Sequence, residues 1–333
     1  MTVSYRSNRR RRDLLTFGML ALAALVVVSV VLMHHRQRVS GSPLTTRTTV
    51  GRSPGSGGES TSSSGVAQAF VRGSATIEEA YPLVDASRPL VRNGEELSSG
   101  RSLPISVWRP AAMGTFPLVI FVHGYDRDPS DYTRFCTTLA SAGYVVVAPS
   151  FPLEDPSMRN GLDRNDLPNE ATDVTFVITS VLAGPLATHI RVQAIAVVGH
   201  SDGADVALMD GYQEGKVDRR IGAIVAIAPD AMQGAVAPSP DAPLLVVHGD
   251  ADTVVPYANS QTVFAQVPAR RYFMTLIGAD HLPPIAGGTP WTPVLDKAVA
   301  DFLDATIAGR LSRGASLSGR LGASPLVRLE ESG

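Results

Sequence analysis

Cysteine is almost absent from this chain of 333 residues, and its charges and histidines form no cluster that points to a ligand. The one cysteine, Cys136, cannot form an internal disulfide, and we interpret it as a small core residue. A net charge of −2 gives no reason to expect nucleic acid as a partner. The seven histidines lack metal-ligand spacing, and no glycine-rich phosphate loop is present. The sequence therefore predicts no metal and no cofactor, and we expect a monomer.

The longest apolar run covers residues 14–33, and about 20 uncharged residues can span a bilayer as a helix. Arginines are concentrated before this run, so the positive-inside rule predicts a cytoplasmic N-terminus and an exported remainder. A cleaved export signal is the alternative, because Arg11 and Arg12 resemble a twin-arginine motif. We favour an uncleaved anchor, since the run is longer than a usual signal core. The expected location is the cell envelope, with secretion if the segment is cleaved.

Composition divides the chain around this anchor into four further zones. Residues 1–13 form a basic cytoplasmic N-terminus, and residues 34–68 form a flexible linker rich in Ser, Gly and Pro. Residues 69–310 carry the alternating apolar runs of a folded catalytic domain. Residues 311–333 return to a Ser- and Gly-rich composition and are predicted to be a disordered tail.

Within residues 69–310, strand-like apolar runs alternate with helical stretches. The strand-like runs cover residues 118–122, 144–148, 196–198, 221–227, 244–247 and 272–276, and the helical stretches cover residues 130–142, 170–182, 204–212 and 293–307. This alternation predicts an α/β fold with a mostly parallel central sheet and helices on both faces. Only about fifteen residues separate the fourth and fifth of these strands, too few for a large cap domain. Active sites of such sheets lie at the carboxyl ends of the strands.

The third of these strands ends in the motif Gly199-His200-Ser201-Asp202-Gly203. A serine at a sharp strand-to-helix turn has strained backbone angles, and its neighbours two residues away must be very small. Gly199 and Gly203 meet that requirement. We therefore interpret Ser201 as the nucleophile of a nucleophile elbow.

A serine nucleophile needs a histidine base, which in turn needs a carboxylate. Only His248 and His281 follow Ser201 in the chain. His281 lies in a loop after the last predicted strand and is the expected base, whereas His248 is expected to be structural. The acid is Asp250 or Asp252, and we favour Asp252 because it lies nearer the loop tip.

The oxyanion that develops during ester cleavage needs two N–H donors. One is expected from the backbone N–H of Asp202, directly after the nucleophile. The other is expected from the backbone N–H of Tyr125, where Gly124 allows the chain to turn tightly. We interpret His123 as a polar anchor of that loop rather than a catalytic residue.

Four motifs occur here in an order that resembles one branch of the α/β-hydrolases. They are residues 121–125 (FVHGY), 143–149 (GYVVVAP), 199–203 (GHSDG) and 248–256 (HGDADTVVP). The branch contains dienelactone hydrolase-like proteins, chlorophyllases, platelet-activating-factor acetylhydrolase-like esterases and polyester hydrolases. The resemblance implies a serine carboxylic-ester hydrolase and assigns the triad to Ser201, Asp252 and His281.

One residue departs from that pattern and the substrate stays open. Asp202 is acidic where many relatives have an apolar or neutral residue, so we expect its side chain to turn away from the oxyanion. Without a cap, the site is expected to accept lipid, bulky or small esters outside the cytoplasm, with residues 151–167 as one wall. A peptidase or dienelactone-type hydrolase with the same triad, or a catalytically silent tethered binding domain, remains an alternative.

Overall fold

A nine-stranded sheet forms the centre of the protein, seen in a computed structural model that describes residues 74–238, 240–310 and 316–332. The strands are β1 Thr76–Tyr81, β2 Val84–Asp85, β3 Leu90–Arg92, β4 Glu95–Ser98, β5 Arg101–Ser102, β6 Ile105–Pro110, β7 Phe116–Val122, β8 Val145–Pro149, β9 Ile190–His200, β10 Ile221–Ile227, β11 Leu244–Gly249, β12 Arg271–Leu276 and β13 Val327–Ser332. The helices are α1 Thr133–Ser141, α2 Leu167–Ala183, α3 Asp202–Tyr212, α4 Tyr257–Gln266, α5 Pro283–Ala286, α6 Thr292–Leu303 and α7 Leu317–Leu321.

The strand order in the sheet is β1-β6-β8-β7-β9-β10-β11-β12-β13. The six neighbouring strands β8, β7, β9, β10, β11 and β12 pair in parallel, and antiparallel strands close both edges of the sheet. Two short two-stranded sheets, β2-β5 and β3-β4, lie outside the large one. In the described residues between β10 and β11 the chain forms no helix. The predicted fold class, a mostly parallel sheet without a large cap, is therefore confirmed.

The central strands are buried on both faces, which explains their continuous apolar sequences. In β7, Leu118 and Ile120 pack into the core layer that also contains residues of α2 and α3. Val119 and Phe121 pack into the opposite layer with residues of α1 and α6. This alternation follows from the two-residue repeat of a strand. The packing fixes the sheet so that its carboxyl-end loops lie along one edge.

The four predicted helices are present as α1, α2, α3 and α6, with ends that differ by a few residues from the predicted ones. Helix α4, Tyr257–Gln266, was not predicted. Its sequence, YANSQTVFAQ, has a weak apolar stripe, and its buried residues are Ser260 and Val263. Packing against the sheet rather than a strong local pattern accounts for this helix.

The prediction of a disordered tail is wrong for residues 316–332. Helix α7 buries Leu317 and Leu321, and β13 pairs antiparallel with β12 from Arg271–Ser332 to Leu276–Val327. The physical reason is the edge of the sheet: β12 has free backbone N–H and C=O groups on one side, and β13 satisfies them. The short alternation of apolar Val327 and Leu329 with charged residues was overlooked because the surrounding sequence is rich in Ser and Gly.

Residues 1–13, 14–33 and 34–68, which carry the predicted basic N-terminus, anchor and linker, lie outside the described residues. Across the parts of the chain that are described, no helix is both long and apolar enough to cross a bilayer. The described residues all fall within one compact unit of the chain, residues 66–333.

Candidate active site

Ser201 occupies the sharp turn between β9 and α3. Its backbone has φ 57° and ψ −127°, in a region that residues other than glycine rarely adopt. A Cβ on Gly199 would lie 2.0 Å from the backbone oxygen of Gly203, and one on Gly203 would lie 2.3 Å from that of Val122. Both positions therefore require glycine, and the turn holds the Ser201 hydroxyl out of the backbone.

His281 contacts one of the two candidate acids. Its Nδ1 lies 2.7 Å from Oδ2 of Asp252, and the other carboxylate oxygen accepts hydrogen bonds from the N–H groups of Val254 and Val255, both at 2.8 Å. Burial raises the pKa of Asp252, but the hydrogen bonds from Val255 and His281 outweigh it and hold the pKa below the usual value. Asp252 is thus an ionised acceptor that fixes the orientation of the His281 ring.

Asp250 lies on the same loop but has different partners. Its Oδ1 accepts a 2.6 Å hydrogen bond from the backbone N–H of Gly278, and its Oδ2 lies 3.9 Å from Arg328. The structure brings Asp252, and not Asp250, to His281. Asp250 instead shapes the turn that carries His281.

His248 contacts Asp252 from the other side. Its Nε2 donates to Oδ2 of Asp252 at 3.0 Å and faces the carbonyl of Val255 at 3.2 Å, while its Nδ1 lies 2.6 Å from the hydroxyl of Ser260. Burial lowers the pKa of His248, so the ring is neutral near pH 7. A single carboxylate oxygen therefore contacts two imidazoles, which restrains Asp252 further.

A chain of hydrogen bonds joins the loop before α1 to the loop that carries His281. The N–H of Gly124 donates to the hydroxyl of Tyr132 at 3.4 Å, and that hydroxyl donates to Nδ1 of His200 at 3.0 Å. Nε2 of His200 then donates to the carbonyl of His281 at 3.3 Å. Burial and the neighbouring His281 lower the pKa of His200 to about 3, so this ring stays neutral and keeps one tautomer.

The candidate oxyanion donors lie next to Ser201. Asp202 is the first residue of α3, where a backbone N–H has no partner within the helix. A Cβ on Gly124 would lie 3.0 Å from Cβ of Ser201, so only glycine lets this loop approach the nucleophile. Tyr125 follows Gly124 and lines a cavity that also contains Ser201. His123 is buried and holds the loop through the carbonyl of Gly124 and the N–H of Phe151, as an anchor would.

The Asp202 side chain is buried and forms an ion pair. Nε and Nη2 of Arg164 donate to its two carboxylate oxygens. Arg164 also lies 3.7 Å from Asp230, and its side chain is half exposed. The charge that the sequence places beside the oxyanion is thus balanced by a guanidinium.

Ser201 and His281 line one cavity of about 450 Å³ at the carboxyl ends of the strands. Val254, Leu282 and Pro283, on the loops that carry Asp252 and His281, form an apolar wall, and the charged lining residues include Arg164, Asp230 and Asp280. A second cavity of about 390 Å³ lies near Gly211 and Asp241 and contains none of the candidate catalytic residues. Within the described residues, no three His, Cys, Asp or Glu side chains are arranged to hold a metal ion.

Sequence reasoning did not identify three residues of this site: Tyr132, Arg164 and His200. Tyr132 and His200 are 68 residues apart, and Arg164 and Asp202 are 38 apart. Nothing local marks such pairs. The acidic residue within the elbow motif was the one available signal, because a buried carboxylate requires a partner of opposite charge.

Comparison with known proteins gives the family context. The family model described as chlorophyllase matches residues 67–247. Chlorophyllase type 0 of Chenopodium album is 28% identical over 131 residues, which are 38% of this chain and 38% of that protein. Chlorophyllase-1, chloroplastic, of Citrus sinensis is 30% identical over 130 residues, which are 38% of this chain and 36% of that protein. The matched segment thus spans less than two-fifths of these relatives.

A solved structure supports the fold. A ferulic acid esterase from Streptomyces cinnamoneus superimposes with a TM-score of 0.63 at 20% sequence identity, covering 77% of this chain and 96% of that one. At this identity the match establishes the fold alone, which is that of the α/β-hydrolases. The reaction must be inferred from the residues of the site.

Proposed function

The chain belongs to the chlorophyllase family, and from that premise we propose that it is a serine carboxylic-ester hydrolase with the triad Ser201, His281 and Asp252. The observation that carries the proposal is the 2.7 Å contact between buried Asp252 and Nδ1 of His281, which lines the same cavity as the strained Ser201. A serine, an oriented imidazole and an ionised carboxylate are the three groups that acyl transfer needs.

The reaction follows from these positions. The Ser201 hydroxyl attacks the ester carbonyl while His281 accepts its proton at Nε2, and Asp252 stabilises the imidazolium through Nδ1–H. The oxyanion is bound by the backbone N–H groups of Asp202 and Tyr125. His281 then returns the proton to the departing alcohol, which leaves an acyl-enzyme. Water, deprotonated by His281, hydrolyses the acyl-enzyme and releases the carboxylic acid.

The substrate class is an ester with an apolar alcohol, small or long. His281 must protonate the leaving oxygen, so the alcohol lies against the apolar wall of Val254, Leu282 and Pro283. The cavity is open, and no helix covers it in the described residues between β10 and β11. We place the reaction outside the cytoplasm, on the basis of the anchor predicted at residues 14–33.

The test is hydrolysis of p-nitrophenyl esters from two to sixteen carbons by the full-length chain and its Ser201→Ala variant. We expect turnover that falls by roughly 10³- to 10⁶-fold in the variant. Ser99→Ala, a change on an exposed turn, is the matched control and should leave turnover unchanged. The chain-length optimum reports the extent of the apolar wall.

Labelling with a fluorophosphonate separates the alternatives. Labelling at Ser201 with ester turnover supports the proposal. Labelling together with faster cleavage of peptide anilides than of esters would replace it by a peptidase. Neither labelling nor turnover would identify a catalytically silent binding domain.

A further inference from the structure

Arg164 lines the cavity and is hydrogen-bonded to Asp202, whose backbone N–H is a proposed donor to the oxyanion. It lies on the loop between β8 and α2, in a short 3₁₀ turn, Arg164–Asp166. Asp202, buried at the start of α3, accepts from both Nε and Nη2. A guanidinium held by two parallel hydrogen bonds has a fixed plane and direction. Its position therefore follows that of the elbow.

The remaining nitrogen of this guanidinium is available to a ligand. Within the described residues Nη1 makes no hydrogen bond, and the Arg164 side chain is 51% exposed. Arg164 lines both the cavity of Ser201 and an adjoining cavity of about 320 Å³. Asp230, whose Oδ1 accepts a 2.6 Å hydrogen bond from Asn259, lines both cavities as well. The site thus continues past Arg164 rather than ending there.

The reaction geometry decides which part of the substrate reaches Arg164. In the tetrahedral intermediate the former carbonyl carbon is bonded to the attacking Ser201 oxygen, to the oxyanion beside Asp202 and Tyr125, to the alcohol oxygen beside His281, and to the acyl chain. With the alcohol side assigned to the apolar wall, the acyl chain extends along the other side of the cavity. Arg164 and Asp230 also line the cavity, and hydrogen bonds hold Arg164 to Asp202, next to Ser201, rather than to the loop of His281.

The charge around Arg164 decides the chemistry of the acyl group. Asp202 pairs with the guanidinium and Asp230 lies 3.7 Å from it, so two carboxylates already surround one positive charge. A further carboxylate on the substrate would be repelled by both. A neutral oxygen acceptor would take the free N–H donor without adding charge.

We propose that Arg164 binds a second, neutral carbonyl oxygen on the acyl chain of the substrate, so that the enzyme prefers esters of oxygen-bearing acids, such as diesters and oligoesters. The proposal rests on the proposed ester hydrolysis. Asp202 acts as a positioning residue for Arg164, which gives a role to the acidic residue in the elbow motif.

The experiment compares two esters of equal length, dimethyl succinate and methyl hexanoate, on the full-length chain. Their acyl chains both have six non-hydrogen atoms in line, and only the first carries a second carbonyl. Each kcat/KM is divided by the rate constant of hydroxide hydrolysis of the same ester, and the factor of two for the equivalent ends of the diester cancels in this ratio. We expect the diester to be favoured by about tenfold or more, the effect of one hydrogen bond from a charged donor.

The variant Arg164→Gln should reduce this preference to near one. The ratio within one variant cancels any general loss of activity from the unpaired Asp202. Arg127→Gln is the matched control: Arg127 lines the same cavity but its nearest carboxylate is Asp131 at 3.9 Å, and its variant should keep the preference. Monomethyl succinate, which carries a carboxylate instead, should be a poorer substrate than the diester.

Three results would overturn the proposal. They are a preference near one in the unaltered enzyme, an unchanged preference in Arg164→Gln, and faster cleavage of the anionic monoester. Loss of the preference in Arg127→Gln alone would transfer the role to Arg127. Failure of the esterase assignment is distinguishable, because then neither ester is hydrolysed and no fluorophosphonate reacts with Ser201.

Discussion

Glu154 is buried close to the carboxylate of Asp202, to which its protonated form can donate a hydrogen bond. Burial, with the negative charge of Asp202, raises the pKa of Glu154 to about 9. The side chain is therefore a neutral acid near pH 7, next to the pair formed by Asp202 and Arg164. A second carboxylate there would weaken the balance of charge at the oxyanion.

This shift makes stability depend on pH with a defined sign. Between the ordinary pKa of a glutamate, 4.5, and about 9, the folded chain holds a proton at Glu154 that the unfolded chain has lost. The contribution of Glu154 to the free energy of unfolding therefore decreases as the pH rises through this range. Glu154→Gln should remove that decrease. The free energy of unfolding of the variant, measured relative to the unaltered protein, should therefore be higher at pH 9 than at pH 5.

Chemical unfolding at pH 5, 7 and 9 measures this difference. Glu96→Gln, on the exposed strand β4, serves as the control and should follow the unaltered protein at every pH. Parallel curves for Glu154→Gln and the unaltered protein would show that Glu154 is ionised in the folded state.

Gly199 gives a second prediction at the scale of the residue. A Cβ there would lie 2.0 Å from a backbone oxygen that cannot move without displacing α3, so Gly199→Ala should cost roughly 3 kcal/mol or more. At Gly222, on β10, a Cβ would meet Ile307 at 3.2 Å and the cost should stay within about 1 kcal/mol. Denaturant unfolding of the two variants tests this contrast, and equal losses would contradict it.

The residues with local signals could be predicted from the sequence, and those defined by distant partners could not. Ser201 lies in a motif of five residues, and His281 follows the only strand left for the base. Asp252 and Asp250 could be ranked only by loop position, and the contact with His281 is what distinguishes them. Arg164 is an ordinary loop arginine in the sequence, since its meaning depends on a carboxylate 38 residues away.

At the scale of elements, the hydrogen bonds of Tyr132 connect three loops around the site. Tyr132→Phe keeps the ring but leaves the N–H of Gly124 and Nδ1 of His200 without this partner. We expect kcat for p-nitrophenyl esters to fall by about tenfold with little change in KM, because the loops of His281 and Tyr125 lose their common anchor.

The control for this prediction is Tyr144→Phe. Tyr144 is equally buried and lies in the same core layer, but its hydroxyl donates to Asp304, and neither residue lines the cavity. That variant should lose stability without losing kcat. Equal effects of the two substitutions on kcat would mean that Tyr132 acts only through general stability.

The edge strand β13 yields a prediction about the last residues of the chain. Truncation after residue 310 removes β13 and helix α7, exposes the edge of β12 and uncovers the surface against which Leu317 and Leu321 pack. We expect the free energy of unfolding to fall by about 3 kcal/mol or more, from two buried leucines alone. Size-exclusion chromatography should also show more aggregation, since an uncovered edge can pair with another chain.

The reactivity of Ser201 in the truncated protein tests whether the loss of β13 affects the active site. The cavity residues lie at the carboxyl ends of β7 to β12, so the fraction of truncated protein that remains folded should still react with a fluorophosphonate. A truncated chain as stable as the full one would show that β13 adds nothing to the sheet.

Strands that are buried on both faces could be predicted from the sequence, whereas half-exposed edge strands could not. Strands β7 to β12 could be predicted because burial on both faces demands unbroken apolar runs. Strand β13 is half exposed and its sequence alternates with charged residues, and β1 shows a similar half-buried pattern. Such edge strands are specified by the sheet that they join, so composition alone reads them as tail or loop.

At the scale of the whole molecule, the sequence places a basic and apolar segment before the catalytic unit. Residues 14–33 lie outside the described residues, and the described residues that line the cavity of Ser201 lie between Gly124 and Pro283. The two parts should therefore separate in function. We expect the full-length chain to sediment with membranes and to resist alkaline carbonate extraction, as a helix of about 20 apolar residues would.

A chain that begins at residue 67 provides the comparison, because it keeps the described residues and lacks the apolar run. It should remain in the supernatant with kcat/KM for short p-nitrophenyl esters within about twofold of the full-length value, since the proposed triad and the described residues that line the cavity all lie between Gly124 and Pro283. The mass of the protein recovered from the envelope decides between anchor and signal. A mass that includes residues 14–33 supports the anchor, whereas a shorter mass with activity in the medium would show cleavage, and the enzyme would then reach its esters by diffusion rather than at the membrane surface.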